Sequence, residues 1–425
     1  MKIGGDFAIP GRWGHMPDTV GSLGRGIGQP DLSGHNQRVV IDAIRRAGEG
    51  GISRVEITIA TGLSPQTVTN VTQRLLTNGL VTEAGQRASG PGRPRTQLRL
   101  NPDGAYAFGV HIDPLVVDVL LMDWTGTIRG RRELPTPDDE DPRTTLTDVA
   151  ESMDSLASTA VVPRARVKGV GIATPGPISQ ATQSLVDPPL MRQWHGAPVG
   201  SIITELTGFS STLTKDVTAC AMGELWTRSP DDHASFLFCY VGTGVGVAAT
   251  IEGIPHRGVT GNAGEVGPRP ASAPPEPCRV CSNLHPGLAS APSYWARVGI
   301  SRGLLPEFSS SQPHPRHVAR ATAELATIAR AGDFEAQQIF ADAGGAISRI
   351  ISSTTDLLDL DEVVLGGPYW DEVGDLLLPS LIQHVQHDPV LSSVRPVTLR
   401  SCLHRRDASA IGAASGALQQ FSHPL

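Results

Sequence analysis

The chain has 425 residues, and ~150 residues per domain predicts two or three domains. Hydrophobic residues at 39% can fill a sizeable core, but aromatics at 4% leave that work to aliphatic side chains and alanine. A formal charge of −7 argues, taken whole, against a nucleic-acid binder, and no run approaches the ~18 apolar residues of a membrane span.

Residues 1–32 are rich in Gly and Pro without apolar periodicity and read as a disordered tail. Lys2, Arg12 and Arg25 there lack a following apolar stretch, so no secretory signal is expected. Residues 33–102 have a different texture. A helix over about 36–47 places Val40, Ile41 and Ile44 on one face, and Gly48 and Gly50 stop it. Ser53, three before Glu56, has capping-box spacing for a second helix that ends at Gly62. Ser64-Pro65 opens a third, with Ser as N-cap and Pro in the first turn. Its core face is Val68, Val71, Leu75 and Leu76; its outer face is Gln66, Thr67, Thr69, Asn70, Gln73 and Arg74.

Two short helices joined by a tight turn, the second amide-rich outside, form a helix-turn-helix pattern. Gln and Asn can read adenine edges, and Arg74 can reach phosphate or guanine. A three-helix bundle for protein contact is the alternative. A strand over 80–84, the basic loop Gly92-Arg-Pro-Arg95 and a strand over 98–100 then read as a wing, with Arg93 and Arg95 suited to a narrow minor groove. The other reading of this loop is a solvated hairpin tip. Charge agrees with DNA binding: residues 31–101 hold nine arginines against five carboxylates, a net +4, which leaves −11 on the rest. Lysine occurs three times against thirty-two arginines, a coding skew that removes weight from arginine richness by itself.

Residues 103–425 alternate strands and helices, an α/β pattern. Strands are expected at 106–112, 117–123, 169–173, 236–241, 246–251 and 362–365, and helices near 142–161, 197–207, 216–227, 314–330, 333–357, 371–386 and 407–420. The acidic run at 138–141 and the Pro-rich stretches at 268–277 and 305–315 read as loops, and no short internal repeat is visible. Five sparse cysteines (Cys220, Cys239, Cys278, Cys281 and Cys402) fit a reduced, cytoplasmic chain.

The Gly-rich turns of this body come in a telling order: Gly169-Val-Gly-Ile-Ala-Thr-Pro-Gly-Pro177, Lys215-Asp-Val-Thr218, Val241-Gly-Thr-Gly-Val-Gly246, Gly261-Asn-Ala-Gly-Glu-Val-Gly267, Leu365-Gly-Gly367 and Ala410-Ile-Gly-Ala-Ala414. Together they resemble the ROK family (repressors, open reading frames and kinases), and the amino-terminal module followed by Leu98-Arg-Leu-Asn-Pro102 resembles its repressor branch. The resemblance implies a winged helix-turn-helix on a two-lobed, actin-like or RNase-H-like α/β body, with lobe one at about 103–218 plus 405–422 and lobe two at about 219–404. It also implies a homodimer or homotetramer on pseudo-palindromic operator DNA, a cleft for a sugar or sugar-derived effector, and no membrane partner.

The family's site residues transfer only in part. The kinase turn Asp-x-Gly-Gly-Thr reads His111-Ile-Asp-Pro-Leu115 here, and Pro has no N–H for a phosphate, so phosphoryl transfer is expected to be lost. Gly244, in the second phosphate turn, persists; a structural strand turn is the preferred reading of that segment. Asp216 matches the kinase base, Lys215 replaces a sugar-contacting Asn, and Glu265 survives while the family's His is replaced by Pro268. The effector set implied is Lys215, Asp216, Gly244, Asn262 and Glu265. Lys215 would pair with Asp216 or attract an anionic ligand, which favours a modified or anionic carbohydrate over a plain sugar. The zinc loop reads Cys278-Arg-Val-Cys281-Ser-Asn-Leu-His285: three soft ligands, with His256 as a fourth, where structural zinc wants four. A loop with free thiols is the alternative, so no cofactor is assigned. The functional expectation is a DNA-binding transcriptional regulator, a repressor, that is not an enzyme. The alternatives are a sugar kinase with a fused DNA-binding head and an effector-independent DNA-binding protein.

Overall fold

The computed structural model describes residues 29–87, 94–136, 141–188, 190–228, 234–266, 290–308, 314–387 and 394–421. The head begins with α1 (Gln29–Arg46), which starts inside the segment read as a tail. Pro30 falls in its first turn, where a missing N–H breaks no helical bond. Residues 1–28 lie outside the described residues. A short strand β1 (Ile52–Ser53) leads into α2 (Arg54–Thr61) and α3 (Pro65–Thr77), then the hairpin β2 (Val81–Arg87) and β3 (Arg95–Leu100). The capping box forms as spaced: Ser53 N–H donates to Glu56 Oε2 at 2.8 Å, and Glu56 N–H to Ser53 Oγ at 3.3 Å. Gly62 closes α2 at φ 68°, a left-handed value that favours glycine. β3 is central in a β1-β3-β2 sheet, and Val40, Ile44, Ile57, Val68, Val71, Leu75 and Leu98 are fully or almost fully buried beneath it.

The body holds two five-stranded sheets. The first contains β4 (Tyr106–Ile112), β5 (Val116–Asp123), β6 (Ile128–Pro135), β7 (Val167–Thr174) and β10 (Ser211–Lys215), in the order β10-β7-β4-β5-β6. The second contains β11 (Phe236–Val241), β12 (Val245–Ile251), β13 (Ile254–Pro255), β14 (Glu362–Gly366) and β15 (Thr398–Ser401), in the order β13-β12-β11-β14-β15. In each, the first three strands are antiparallel and the last two run parallel. One topology is therefore used twice, although the sequence shows no repeat. A two-residue hairpin, β8 (Ile178–Ser179) with β9 (Ser184–Leu185), stands beside the first sheet.

Helices α4 (Pro142–Thr159) and α5 (Val199–Thr207) cover lobe one; α7 (Pro292–Ser301), α8 (Pro315–Arg330), α9 (Phe334–Leu358) and α10 (Trp370–His387) cover lobe two. Between the sheets lie α6 (Asp216–Thr227) and α11 (Ala408–Phe421). Their packing explains the small residues at 410–414. A Cβ on Gly171 would stand 1.8 Å from Ala413 O, and one on Gly412 would stand 1.6 Å from Ala219 O. The helix backbones thus rest directly on strand and helix backbone. The strands absent from the sequence reading are β6, whose Arg-rich, mostly exposed residues lie at a sheet edge, β10, β15 and the two-residue strands; α7 was absent too. They lack the apolar alternation on which that reading rests.

Candidate functional site

The head presents α3 as the chemistry predicts. Gln66, Thr69, Asn70, Gln73 and Arg74 are exposed, while Ser64 is spent as the N-cap, accepting from Thr67 N–H at 3.2 Å. Thr67 is half-buried, its hydroxyl 2.9 Å from Ser64 Oγ, so these two shape the helix start. Gln66 Nε2 donates to Asn70 Oδ1 at 3.0 Å, which orders two amides on one face. Arg95 opens β3, opposite Arg87 on β2. Like charges directly opposite repel, and both act on the nearby carboxylate of Glu56, so this pair favours an anion over the hairpin. Arg87 was not among the residues picked from sequence; its place beside the basic loop was the available signal. Arg93 lies outside the described residues.

The cleft forms where β10 runs into α6. Asp216 is the first residue of α6 and is buried; Lys215 before it is buried too. Lys215 Nζ meets Glu265 Oε1 at 2.7 Å and donates to Ala263 O at 3.1 Å. It does not reach for Asp216 as its hydrogen-bond partner, and its charge is committed to Glu265. Asn262 is committed as well: its Oδ1 accepts from Ile178 N–H at 2.7 Å and its Nδ2 donates to Ile178 O at 2.9 Å, clamping the β8 hairpin to the 257–266 loop. Gly244 sits in the β11–β12 turn, which Gly242 N–H closes onto Gly244 O at 2.8 Å, and a Cβ there would meet open space.

Opposite Asp216, the β4–β5 turn has been rebuilt. Asp113 N–H donates to Val116 O at 3.0 Å, Pro114 has no N–H, and Leu115 N–H donates to Asp113 Oδ1 at 2.9 Å. No amide of Asp113, Pro114 or Leu115 is left for a phosphate. Asp113 and His111 line a recess of about 370 Å³, whose walls also carry Asp118, Glu133, Asp371, Glu372 and one cation, Arg406. Burial pushes the Asp113 carboxyl up to about 7, and the charges of Asp216 and Asp118 add to the shift. Burial likewise raises Asp216 to about 7, against the pull of Lys215 and with the push of Glu265. Burial lowers His111 to about 4, so its ring is neutral. Several buried polar atoms nearby have no partner in the structure: His111 Nε2, Thr174 Oγ1, Thr218 Oγ1 and Tyr369 OH. A buried polar group without a partner is costly, so such a set suits a polyhydroxylated ligand.

The loop of Cys278, Cys281 and His285 lies outside the described residues; His256, named as a fourth ligand, is exposed. Among the described residues no group of three His, Cys, Asp or Glu could hold a metal ion, and no helix is long and apolar enough to cross a membrane.

Residues 108–420 match the family model described as the ROK family. The chain belongs to the ROK family. A Mycobacterium tuberculosis protein named a transcriptional regulator is 29% identical over 333 residues, 76% of this chain and 72% of its own. The xylose repressor of Bacillus subtilis is 26% identical over 234 residues, 55% of this chain and 59% of its own length. The crystal structure of a ROK family transcriptional regulator, a homologue of the E. coli MLC protein, superposes with a TM-score of 0.72 at 18% identity, over 92% of this chain and 97% of that one. Solved sugar kinases of the family share the fold of the body. The two-lobed ROK fold, with its amino-terminal helical head, is therefore established.

Proposed function

We propose that this ROK protein is a DNA-binding transcriptional regulator, a repressor, whose cleft holds a carbohydrate-like effector and performs no phosphoryl transfer. One observation carries the reading: an exposed, amide-rich recognition helix is joined to a body whose phosphate turn has spent or lost its amides on Asp113, Pro114 and Leu115. The recess beyond that turn, with five carboxyl groups against the one cation Arg406, disfavours a nucleotide's phosphates as well. The named relatives, a transcriptional regulator and a xylose repressor, support the same direction.

On DNA, α3 enters the major groove with Gln66, Asn70 and Gln73 toward base edges. Arg74, Arg87 and Arg95 take phosphates, and Arg93 extends the wing toward the minor groove. A homodimer presents two such heads to a pseudo-palindromic operator. In the cleft, Asp216 and Glu265 meet ligand hydroxyls, with Lys215 and Asn262 holding the walls and Gly244 giving clearance. Genomic footprinting tests the DNA half: enrichment at discrete sites with a two-fold repeat is expected, and uniform coverage would remove it. An ATP-consumption assay over a sugar panel tests the other half, with no turnover expected; sugar-dependent turnover would restore the kinase reading.

A further inference from the structure

Lys215 is the cation that the sequence offered to an anionic ligand, and Glu265 neutralises it at 2.7 Å. The recess at the β4–β5 turn has the opposite character. Asp118 is held by Arg131 at 3.0 Å and Glu133 by Arg406 at 3.1 Å; Asp371 lies 3.9 Å from Arg405 and also feels Arg406, and Glu372 lies 3.9 Å from Arg330. Asp113, the most deeply placed of these acids, has no basic partner among the described residues, and its carboxylate accepts from Leu115 N–H at 2.9 Å. His111 lines the same recess, is 3% exposed, and has Nε2 without any partner. A buried carboxylate and an unused imidazole nitrogen together ask for a donor that carries positive charge.

We propose that the cleft takes a carbohydrate bearing a free amine, with its ammonium seated in the recess between Asp113 and His111. This rests on the effector reading above and names its chemistry. An ammonium has three donors and no acceptor, so it suits the Asp113–His111 end of the recess; Arg406, the cation that lines the recess, is paired with Glu133 at 3.1 Å. A divalent ion is a poorer fit, because no three carboxylate or imidazole groups among the described residues are arranged to ligate one. Asp113 feels the charge of Asp216, so the two carboxyls are close enough for one ligand to reach both. A neutral sugar leaves Asp113 uncompensated, and a sugar phosphate brings like charge against the wall.

Calorimetry on the full chain at neutral pH tests this with D-glucose, 2-amino-2-deoxy-D-glucose, 6-amino-6-deoxy-D-glucose and glucose 6-phosphate. At least one amine is expected to bind tenfold or more tighter than glucose, and the phosphate weakest. Asp113→Asn should bring the amine-to-glucose ratio within about twofold. His111→Leu, which removes an acceptor but no charge, should lower the ratio by a smaller factor. Glucose binding with no amine preference, or a preference that survives Asp113→Asn, overturns this proposal and leaves the effector reading standing. No binding by any of the four overturns both.

Discussion

Asp113→Asn should stabilise the protein, and the gain should grow with pH. The wild-type carboxyl is 2% exposed and titrates near 7 in the folded chain against 3.8 as an ordinary aspartate. An acid with a raised folded pKa keeps its proton only when folded, so stability is lost as pH rises from 3.8 through 7. The shift of about 3 units corresponds to about 4 kcal/mol, of which roughly 2–3 kcal/mol falls between pH 5 and pH 8. Asparagine keeps an oxygen for Leu115 N–H and nothing that titrates. The titration of His111 runs in the opposite sense at lower pH, is common to both proteins, and cancels in the difference. Urea melts of wild type and variant near pH 5 and pH 8 measure it. A variant advantage that is flat with pH, or larger near pH 5, would refute the claim that Asp113 is an uncompensated buried acid.

Gln66→Ala and Asn70→Ala should each weaken operator binding by about 1–3 kcal/mol and relax sequence preference, read by gel shift on matched and mutated sites. Arg87→Ala should weaken all DNA sequences alike and reduce the slope of log K against log salt by about 1, measured by salt titration; an unchanged slope would remove it from the phosphate contacts. Gly412→Ala places a Cβ 1.6 Å from Ala219 O, so the α6–α11 contact must part and the melting temperature should fall by many degrees, with a soluble, unaltered melt as the contrary result.

The sequence made the head legible because its signals are local. Ser53 with Glu56, Gly62, and Ser64-Pro65 each satisfy a helix end within a few residues, and each stands where expected. The body's hydrophobic strands were legible for the same reason. The cleft was legible by residue but not by partner. Lys215 next to Asp216 in sequence invites a pairing, yet the strand-to-helix turn sends Nζ toward the 257–266 loop, where Glu265 and Ala263 O wait. Asn262 read as a ligand contact within the motif it shares with Glu265; Ile178, 84 residues away, takes both ends of its amide. The acidic recess was invisible, since His111 and Asp113, Glu133 and Asp371 converge from distant parts of the chain.

The α6 helix gives the two halves of the molecule a common part. Its first residue, Asp216, stands in the cleft; near its other end Trp226 meets the head, where Arg45 lies 4.9 Å over the indole ring and donates to Trp226 O. Trp226 packs edge-on to Trp124 at 6.5 Å, and both belong to one buried apolar cluster with Val40, Ile44 and Leu75 of the head and Ala410, Ile411 and Ala414 of α11. The head therefore does not hang on a loose linker. Arg166 ties it again from below, donating to Gly104 O at 3.2 Å and reaching Asn78 O at 3.4 Å. Along α6, Glu224 is fully buried and accepts from Arg400 and from Leu403 N–H at 3.3 Å, which links the same helix to the last strand of lobe two. Close-packed interiors transmit displacement and do not absorb it. A ligand that moves Asp216 thus moves a rod seated against both lobes and the head. Its leverage on DNA is set by the difference in its affinity for the two arrangements of that rod.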